Sequence, residues 1–266
     1  MGRRRYVYAL MAVVAVGVVV WSSGAWAGVM PPGSTVAGKT LAEWSAEWWK
    51  WNWSLPENPA TSTYEHPAND TDGSQAFLGN VGNMFYLIGA NRLVTDPASP
   101  APVVRVRNAT VPYGLPIFLP VINAGSSAGN PARKQTLPEL IVAVHGNFNL
   151  ITDYHARIDG VVVTDIADRA EMTEGGFFAT FPLNNVYSVP ADRQNLPWIS
   201  YAEGYYIMLE PLSPGQHEIN FGGRFGPATA PIFELDITYN VTVTPEPGMA
   251  GLIGIVGVVA GLRRRR

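Results

Sequence analysis

The sequence contains no cysteine among its 266 residues. This absence excludes disulfide bonds, thiolate metal sites, a cysteine nucleophile and a lipid-modified cysteine. Charged residues are also scarce, at 15% of the chain, and the formal net charge is −3. Nucleic-acid-binding proteins carry clustered positive charge, so the composition gives no support for a nucleic-acid partner. With 47% hydrophobic and 11% aromatic residues, the composition favours a packed globular domain.

Long hydrophobic runs are lacking too, and two short ones lie near the ends of the chain. Residues 9–20 form an apolar run that follows three arginines and precedes Ala25-Trp26-Ala27. A basic start, a short apolar run and small residues before a cleavage point are the parts of a secretory signal peptide. We therefore predict that residues 1–27 are a signal peptide, with Ala25 and Ala27 marking the cleavage site.

The second apolar run, residues 248–262, has a tripeptide before it and a basic cluster after it. These are Pro245-Glu246-Pro247 and the terminal Arg263, Arg264, Arg265 and Arg266. Fifteen residues of helix span about 22 Å, which is less than the roughly 30 Å hydrocarbon core, although arginine side chains can snorkel and recover part of the difference. An ordinary tail anchor is one interpretation of this segment.

The order of tripeptide, short glycine-containing run and arginine cluster resembles the PEP-CTERM sorting signal of Gram-negative bacteria. In that family the tripeptide is recognised by exosortase, a membrane protease-transpeptidase. The resemblance implies that residues 245–266 form a short transmembrane anchor that is transient. It also implies that signal peptidase and exosortase act on the chain during export. The implied destination is the cell surface or the extracellular matrix, where exopolysaccharide is a candidate partner.

Between these ends, residues 28–244 are predicted to form one domain that opens with a tryptophan-rich helix. Thr40 and Glu43 have the spacing of a capping box, and Pro56 ends the helical segment. The helix carries five tryptophans, namely Trp44, Trp48, Trp49, Trp51 and Trp53.

The five tryptophans cannot share one face of a helix with 3.6 residues per turn. Trp44, Trp48 and Trp51 fall on one face, whereas Trp49 and Trp53 lie more than 100° from its centre. Either the helix fills a groove or one pair is exposed. We predict that the first face is buried and that Trp49 or Trp53 is more accessible. Because aromatic faces can stack on sugar rings, Trp49 and Trp53 are candidate glycan-stacking residues, although packing into a core is the favoured interpretation.

The remaining pattern is typical of a β-sandwich. A second short helix is predicted over residues 137–148, where Thr136 and Glu139 again fit a capping box. Asp159-Gly160 predicts a tight hairpin turn. Short β-prone segments separated by Gly/Pro turns predict an antiparallel β-sandwich, jelly-roll or Ig-like. These segments are 85–88, 103–111, 116–122, 154–158, 161–163, 177–181, 205–209, 217–221 and 233–243.

The body also resembles a group of uncharacterised secreted bacterial proteins. The matching residues lie in segments 38–51, 110–114, 159–160 and 204–217, and they include Trp48-Trp49-x-Trp51 and Gly204-Tyr205-Tyr206. Members of that group often contain cysteines, which this chain does not have. The resemblance implies a fold and an extracytoplasmic compartment but no activity.

Motifs that could carry chemistry are incomplete. Gly125-Ser126-Ser127-Ala128-Gly129 matches G-x-S-x-G, but no helix follows at once as a nucleophile elbow requires, so a loop is predicted. Asp70, Asp72 and Gly73 fit three positions of a calcium loop whose other positions fail, so an Asx-type turn is predicted.

Histidines and acidic residues likewise form no recognisable catalytic set. His66, His145, His155 and His217 are not spaced as metal ligands, and structural roles are predicted for all four. His217, after a Pro-Gly turn, is expected to bond the backbone at a corner of the sandwich. Asp159, Asp165 and Asp168 are spaced across a hairpin and define no acid–base pair.

No catalytic, cofactor-binding or metal residue is therefore predicted, and two functional hypotheses remain. The first is a non-enzymatic surface or matrix protein sorted by exosortase. The alternative is a secreted carbohydrate-active protein, either a lectin-like module or a glycoside hydrolase.

Overall fold

The computed structural model describes residues 28–57, 66–80, 82–90, 102–129 and 135–245. Ala25 and Ala27 lie outside these ranges, and so does the predicted sorting signal after Pro245. Within the described ranges, no helix has both the length and the apolar content needed to cross a membrane.

The described chain is mainly β, with two α-helices. Its elements are β1 (Thr35–Val36), β2 (Lys39–Thr40), α1 (Leu41–Ser54), β3 (Phe85–Tyr86), β4 (Val103–Pro112), β5 (Ile117–Ser127), α2 (Leu137–Phe148), β6 (Ile151–Ile158), β7 (Val161–Val162), β8 (Ala170–Met172), β9 (Phe177–Ala179), β10 (Trp198–Leu209), β11 (Gly215–Phe225) and β12 (Phe233–Thr244). The predicted β-rich fold with a tryptophan-rich helix and one further helix is confirmed.

Two five-stranded sheets form the sandwich. The central sheet has the order β3-β5-β10-β8, with β9 also pairing with β10, and the outer sheet has the order β4-β12-β11-β6-β7. Most pairs are antiparallel, as predicted, but β3 runs parallel to β5 and β4 runs parallel to β12. β1 and β2 form a separate two-stranded ribbon before α1.

The central sheet is covered on both faces. Side chains alternate along β10, and Ile207 and Leu209 lie in the core between the two sheets. On the same face, Tyr201 packs with Leu140 of α2, so α2 lies beside the outer sheet. Tyr206, on the opposite face, belongs to the cluster formed with α1. The domain therefore has α1 on one side of the central sheet and the outer sheet with α2 on the other.

Local sequence signals account for both helices and one hairpin. The Glu43 carboxylate accepts a hydrogen bond from the Thr40 backbone N–H at 2.7 Å, and Thr40 Oγ1 accepts one from the Glu43 N–H at 3.2 Å. α2 spans the predicted residues 137–148. Asp159 and Gly160 both have positive φ, 48° and 80°, as a two-residue hairpin turn requires.

Strand lengths depart from the predicted ones where pairing is long-range. β5 continues to Ser127 and β10 begins at Trp198, because the polar residues of β5 from Asn123 onward pair with the start of β10. β8 was not predicted, and it is held by pairing with β10. Backbone hydrogen bonds to a partner strand thus extend the sheet through segments whose own sequence reads as loop.

A buried arginine ties the outer sheet to the loops around α1. Arg107 of β4 has no exposed surface. Its guanidinium donates to the carbonyl oxygens of Asp70 (2.8 Å), Ile88 (2.7 Å) and Gly89 (2.9 Å), and to the Tyr239 hydroxyl (3.0 Å). Residues 66–73 and 88–90 are therefore fixed against β4 and β12.

The tryptophan helix lies in a groove on the central sheet, and its indole N–H groups are anchored. Trp48 donates to the Leu87 carbonyl at 2.8 Å, and Trp51 donates to the Leu78 carbonyl at 3.1 Å. Trp49 donates to the Tyr206 hydroxyl at 3.2 Å. These bonds join α1 to β10 and to the chain between residues 78 and 87.

The predicted greater accessibility of Trp49 or Trp53 is wrong, because their exposed fractions, 8% and 4%, do not exceed the 8% of Trp51 on the first face. Trp53 packs on Phe177, Phe181 and Tyr187, with ring-centroid distances of 5.8, 5.4 and 6.4 Å. These residues form a wall that is distant in sequence, so helix periodicity alone could not reveal it. The groove alternative is the one that the structure adopts.

We predict that Trp48→Ala and Trp53→Ala lower the free energy of unfolding by similar amounts, about 3–5 kcal/mol each, because both side chains are buried. Lys50→Ala, on the solvent side of the same helix, is the control and should change it by less than about 1 kcal/mol. Urea unfolding followed by circular dichroism measures all three. A Trp53→Ala variant as stable as Lys50→Ala would contradict the groove packing.

Candidate functional site

A cavity of about 360 Å³ lies alongside β5, where α1, α2 and the outer sheet come together. Its lining includes Trp49 and Trp53 from α1, which pack on one face of the central sheet. It also includes Leu235 of β12, which belongs to the core on the other face. The cavity therefore passes around the edge of β5.

The shape of β5 explains why this edge is open to a cavity. β3 pairs with β5 only at Ile117 and Phe118. Along residues 120–127, β10 pairs with one edge of β5, and the described residues supply no strand on the opposite edge. Small side chains then follow in the segment 124–127. At Gly125, an added Cβ would lie 2.8 Å from Trp49 Cζ2, so the indole packs directly against the glycine.

Polar groups are placed at separate points of the lining. The Asn52 side-chain oxygen accepts a hydrogen bond from the Tyr187 hydroxyl at 2.9 Å. Asn123 Nδ2 is buried without a well-formed hydrogen bond, although the amide lies close to the Tyr206 hydroxyl. Ser126 is half-buried, and Asn147 at the end of α2 is exposed.

The lining contributed by the described residues contains no Asp, Glu, Lys, Arg or His. A charged group entering such a cavity would lose its hydration without meeting a counter-charge. The chemistry offered is therefore that of amides, hydroxyls and apolar surface. Such a lining suits the binding of an uncharged molecule.

Trp49 and Trp53, the candidate glycan-stacking residues, have their rings packed against other groups of the protein. The Trp49 ring packs on Gly125 and lies 4.7 Å from the Trp53 ring, centroid to centroid. The Trp53 ring is in turn surrounded by aromatic residues of the groove wall. Protein groups thus take up the ring faces, and both tryptophans contribute to the cavity only as part of its wall.

The G-x-S-x-G segment is not a nucleophile elbow. Ser126 and Ser127 lie in β5 and pair with Tyr201 and Ser200 of β10, so the predicted loop is also wrong. Ser127 Oγ accepts a hydrogen bond from the Gly129 N–H at 3.2 Å. A strained strand-to-helix turn, which exposes the serine in hydrolases, is not formed at these residues.

The acidic turn at Asp70 serves the backbone. Asp70 Oδ1 accepts from the Gly73 N–H at 3.0 Å, and Oδ2 accepts from the Gln75 N–H at 2.8 Å. This is the predicted Asx-type turn. Across the described ranges, no group of three or more His, Asp or Glu side chains is arranged to hold a metal ion.

His217 and Asp159 are part of the framework. His217 Nδ1 lies 2.7 Å from Asp159 Oδ2, and Nε2 lies 2.8 Å from the Ser213 carbonyl oxygen. The ring joins the β6–β7 hairpin to the turn before β11, as predicted for this corner. Asp165 is also occupied, because its carboxylate binds the buried Arg169 guanidinium in a bidentate pair at 2.9 and 2.7 Å.

His66 is fully buried and braces the loop at the end of α1. Nε2 lies 3.0 Å from the Asn52 carbonyl oxygen and so donates to it, while Nδ1 accepts from the Ala68 N–H at 3.1 Å. The ring is therefore the neutral tautomer with hydrogen on Nε2. Burial lowers the pKa of His66 to about 4, against a weaker opposing effect of the Asn52 carbonyl.

Sequence reasoning missed one titratable cluster, which lies between α2 and β10. The buried Glu203 carboxylate accepts from the Tyr201 hydroxyl at 2.8 Å and faces His145 Nδ1 at 3.0 Å. Burial, together with the neighbouring Glu203, raises the pKa of Tyr201. The i, i+2 spacing of Tyr201 and Glu203, which places both side chains on one face of a strand, was a usable sequence signal. No sequence pattern pointed to their partner on α2, His145.

Comparisons with known proteins add no function. No family model matches the chain, and no curated protein matches it. A solved structure titled "Structure of PbICP-C in complex with falcipain-2" is similar at 10% identity with a TM-score of 0.27. The match covers 61% of this chain and 100% of that chain. A similarity at this TM-score carries no argument about fold or activity.

We predict that His66 makes the protein less stable in acid. Because its folded pKa of about 4 is below the unfolded value of about 6.5, its contribution is complete above pH 6.5 and declines as the pH falls towards 4. The loss amounts to roughly 3 kcal/mol. Urea unfolding at several pH values should show a shallower decline in His66→Gln than in wild type, whereas His155→Gln, at a half-buried site on β6, should keep the wild-type slope. Equal slopes in all three proteins would show that His66 is not held neutral.

We predict that Gly125→Ala destabilises the protein by about 1–3 kcal/mol, since the new methyl group overlaps the Trp49 indole. Gly146→Ala is the matched control, because an added Cβ there meets nothing within 4 Å. In the interior of α2 this second change should stabilise by about 0.5–1 kcal/mol. Denaturant unfolding with tryptophan fluorescence compares the two, and similar effects of both changes would contradict the close packing of Trp49 on β5.

Proposed function

We propose that the chain is an exported surface or matrix protein with a non-enzymatic role, sorted by exosortase through its C-terminal segment. The observation that carries this proposal is the order of Pro245-Glu246-Pro247, the short apolar run 248–262 and the terminal arginines. The last strand, β12, ends at Thr244. The tripeptide therefore follows the body directly and forms no part of its described strands.

The use of polar side chains within the body supports a non-enzymatic role. The buried carboxylates of Asp70 and Glu203, and the rings of His66 and His217, all bind backbone groups or neighbouring side chains. Each of these contacts holds a loop, a hairpin or a helix in position. These four groups are thus committed to the framework.

The carbohydrate-active alternative contains two separate hypotheses, a glycoside hydrolase and a lectin-like module. A glycoside hydrolase needs two carboxyl groups facing the substrate, and the cavity lining formed by the described residues offers no carboxyl group. A lectin-like role needs only a site with neutral hydrogen-bonding groups. The cavity beside β5 favours the lectin-like hypothesis.

We predict that Glu246→Ala leaves the fold intact but retains the chain in the cytoplasmic membrane of its native host. The substitution lies beyond β12, so the core should not change, whereas the tripeptide that exosortase recognises is altered. Cell fractionation and intact-mass measurement follow the outcome. Wild type should reach the surface without Arg263–Arg266, and the variant should keep them.

Glu218→Ala provides the control, because this exposed carboxylate lies on β11 and outside the tripeptide. It should be delivered and processed as wild type. Normal surface delivery of Glu246→Ala, or a surface form of wild type that retains the arginine cluster, would overturn the sorting proposal.

A further inference from the structure

The cavity beside β5 has the size of a small-molecule site. Its volume of about 360 Å³ falls within the roughly 300–1,000 Å³ typical of ligand pockets. Its walls come from α1, β5, α2 and the outer sheet, so the ligand would be enclosed by elements that are already packed together. Such a site is largely formed before binding, which limits the entropy lost on association.

The distribution of polar groups favours a ligand with several hydroxyls around an apolar ring. The Asn52–Tyr187 pair lies on the α1 side of the cavity, and Ser126 lies on β5. Asn147 lies at the end of α2, next to the apolar Leu150. Amides and hydroxyls can both donate and accept. The apolar wall between these polar groups matches the C–H faces of a pyranose ring, whose hydroxyl groups lie around its edge.

An extended peptide fits this edge of β5 less well. Pro120 has no N–H to donate, and Val121 is an extra residue in the pairing, since Tyr205 pairs with Ile122 and Tyr206 pairs with Pro120. A bulge and a proline both disfavour the pairing of a strand edge with a further strand. A compact ligand held by side chains does not require the regular row of backbone groups that strand addition uses.

We propose that this cavity binds a neutral sugar residue through Asn147, Ser126 and the Asn52–Tyr187 pair. The proposal goes beyond the sorting function and stands on the cavity alone. Because the described lining has no charged side chain, the site discriminates against uronic acids and amino sugars. The tryptophans shape the wall, and the hydrogen-bonding side chains provide the recognition.

The test is a titration of the full-length purified chain with matched sugars. Glucose, galactose and mannose are the neutral probes, and the corresponding uronates and hexosamines have the same ring with one charged substituent. Isothermal calorimetry and tryptophan fluorescence report binding. At least one neutral sugar should bind with a Kd of about 1 mM or lower, and its charged counterparts should bind at least about 10-fold more weakly.

Variants locate the site. Asn147→Ala removes an exposed amide without touching the core and should weaken binding about 3- to 10-fold, the value of one hydrogen bond. Asn149→Ala, two residues further along the chain and outside the lining, should bind as wild type. Ser126→Phe places a ring in the cavity and should abolish binding, with circular dichroism confirming that the variant is folded.

Four results would overturn the proposal. One is the absence of binding by every neutral sugar up to about 10 mM. Another is equal affinity for neutral and charged members of a matched set. The third is sugar binding that survives both Asn147→Ala and Ser126→Phe. The fourth is binding of a capped Thr-Val hexapeptide in place of sugars. Because these assays use purified protein, none of these results bears on sorting, which cell fractionation tests separately.

Discussion

The architecture depends on one buried charge, the guanidinium of Arg107. A cation removed from water is costly unless polar groups replace its hydration, and here backbone carbonyl oxygens and the Tyr239 hydroxyl do so. The carbonyl groups come from two loops that precede β4 in the chain. The outer sheet can therefore close over Arg107 only when both loops are in place, which makes sandwich formation and loop ordering one event.

The same loops carry the wall on which α1 rests. The turn at Asp70 leads into the segment whose Leu78 carbonyl accepts from Trp51, and the Leu87 carbonyl next to the arginine contact accepts from Trp48. A path of hydrogen bonds thus runs from β4 through these loops to the tryptophan helix. Because Gly89 contacts both Arg107 and the cavity, the geometry of the cavity is set by the same arrangement.

Local signals predicted the elements, whereas burial depended on residues that are distant in sequence. The capping boxes and the Asp159-Gly160 turn placed both helices and a hairpin correctly, because each is decided within a few residues. β4 shows the limit. Residue hydrophobicity alone would bury Val106 and expose Arg107, but Val106 is 59% exposed and Arg107 is buried. The carbonyl groups that reverse this preference come from loops that no local pattern links to the strand.

The candidate site illustrates the same limit in another form. Segment 125–129 carries the G-x-S-x-G pattern of a serine nucleophile, yet its small side chains, not its hydroxyls, explain its place in the fold. Gly125 lets Trp49 lie against β5, and Ala124 and Ser126 are too short to fill the space beside the strand. A dense interior normally leaves few voids, so a run of small residues between three packed layers creates the cavity. The motif therefore matters because its side chains occupy little volume. Such a sequence pattern supports a binding-site hypothesis only when the layers that pack around it are known.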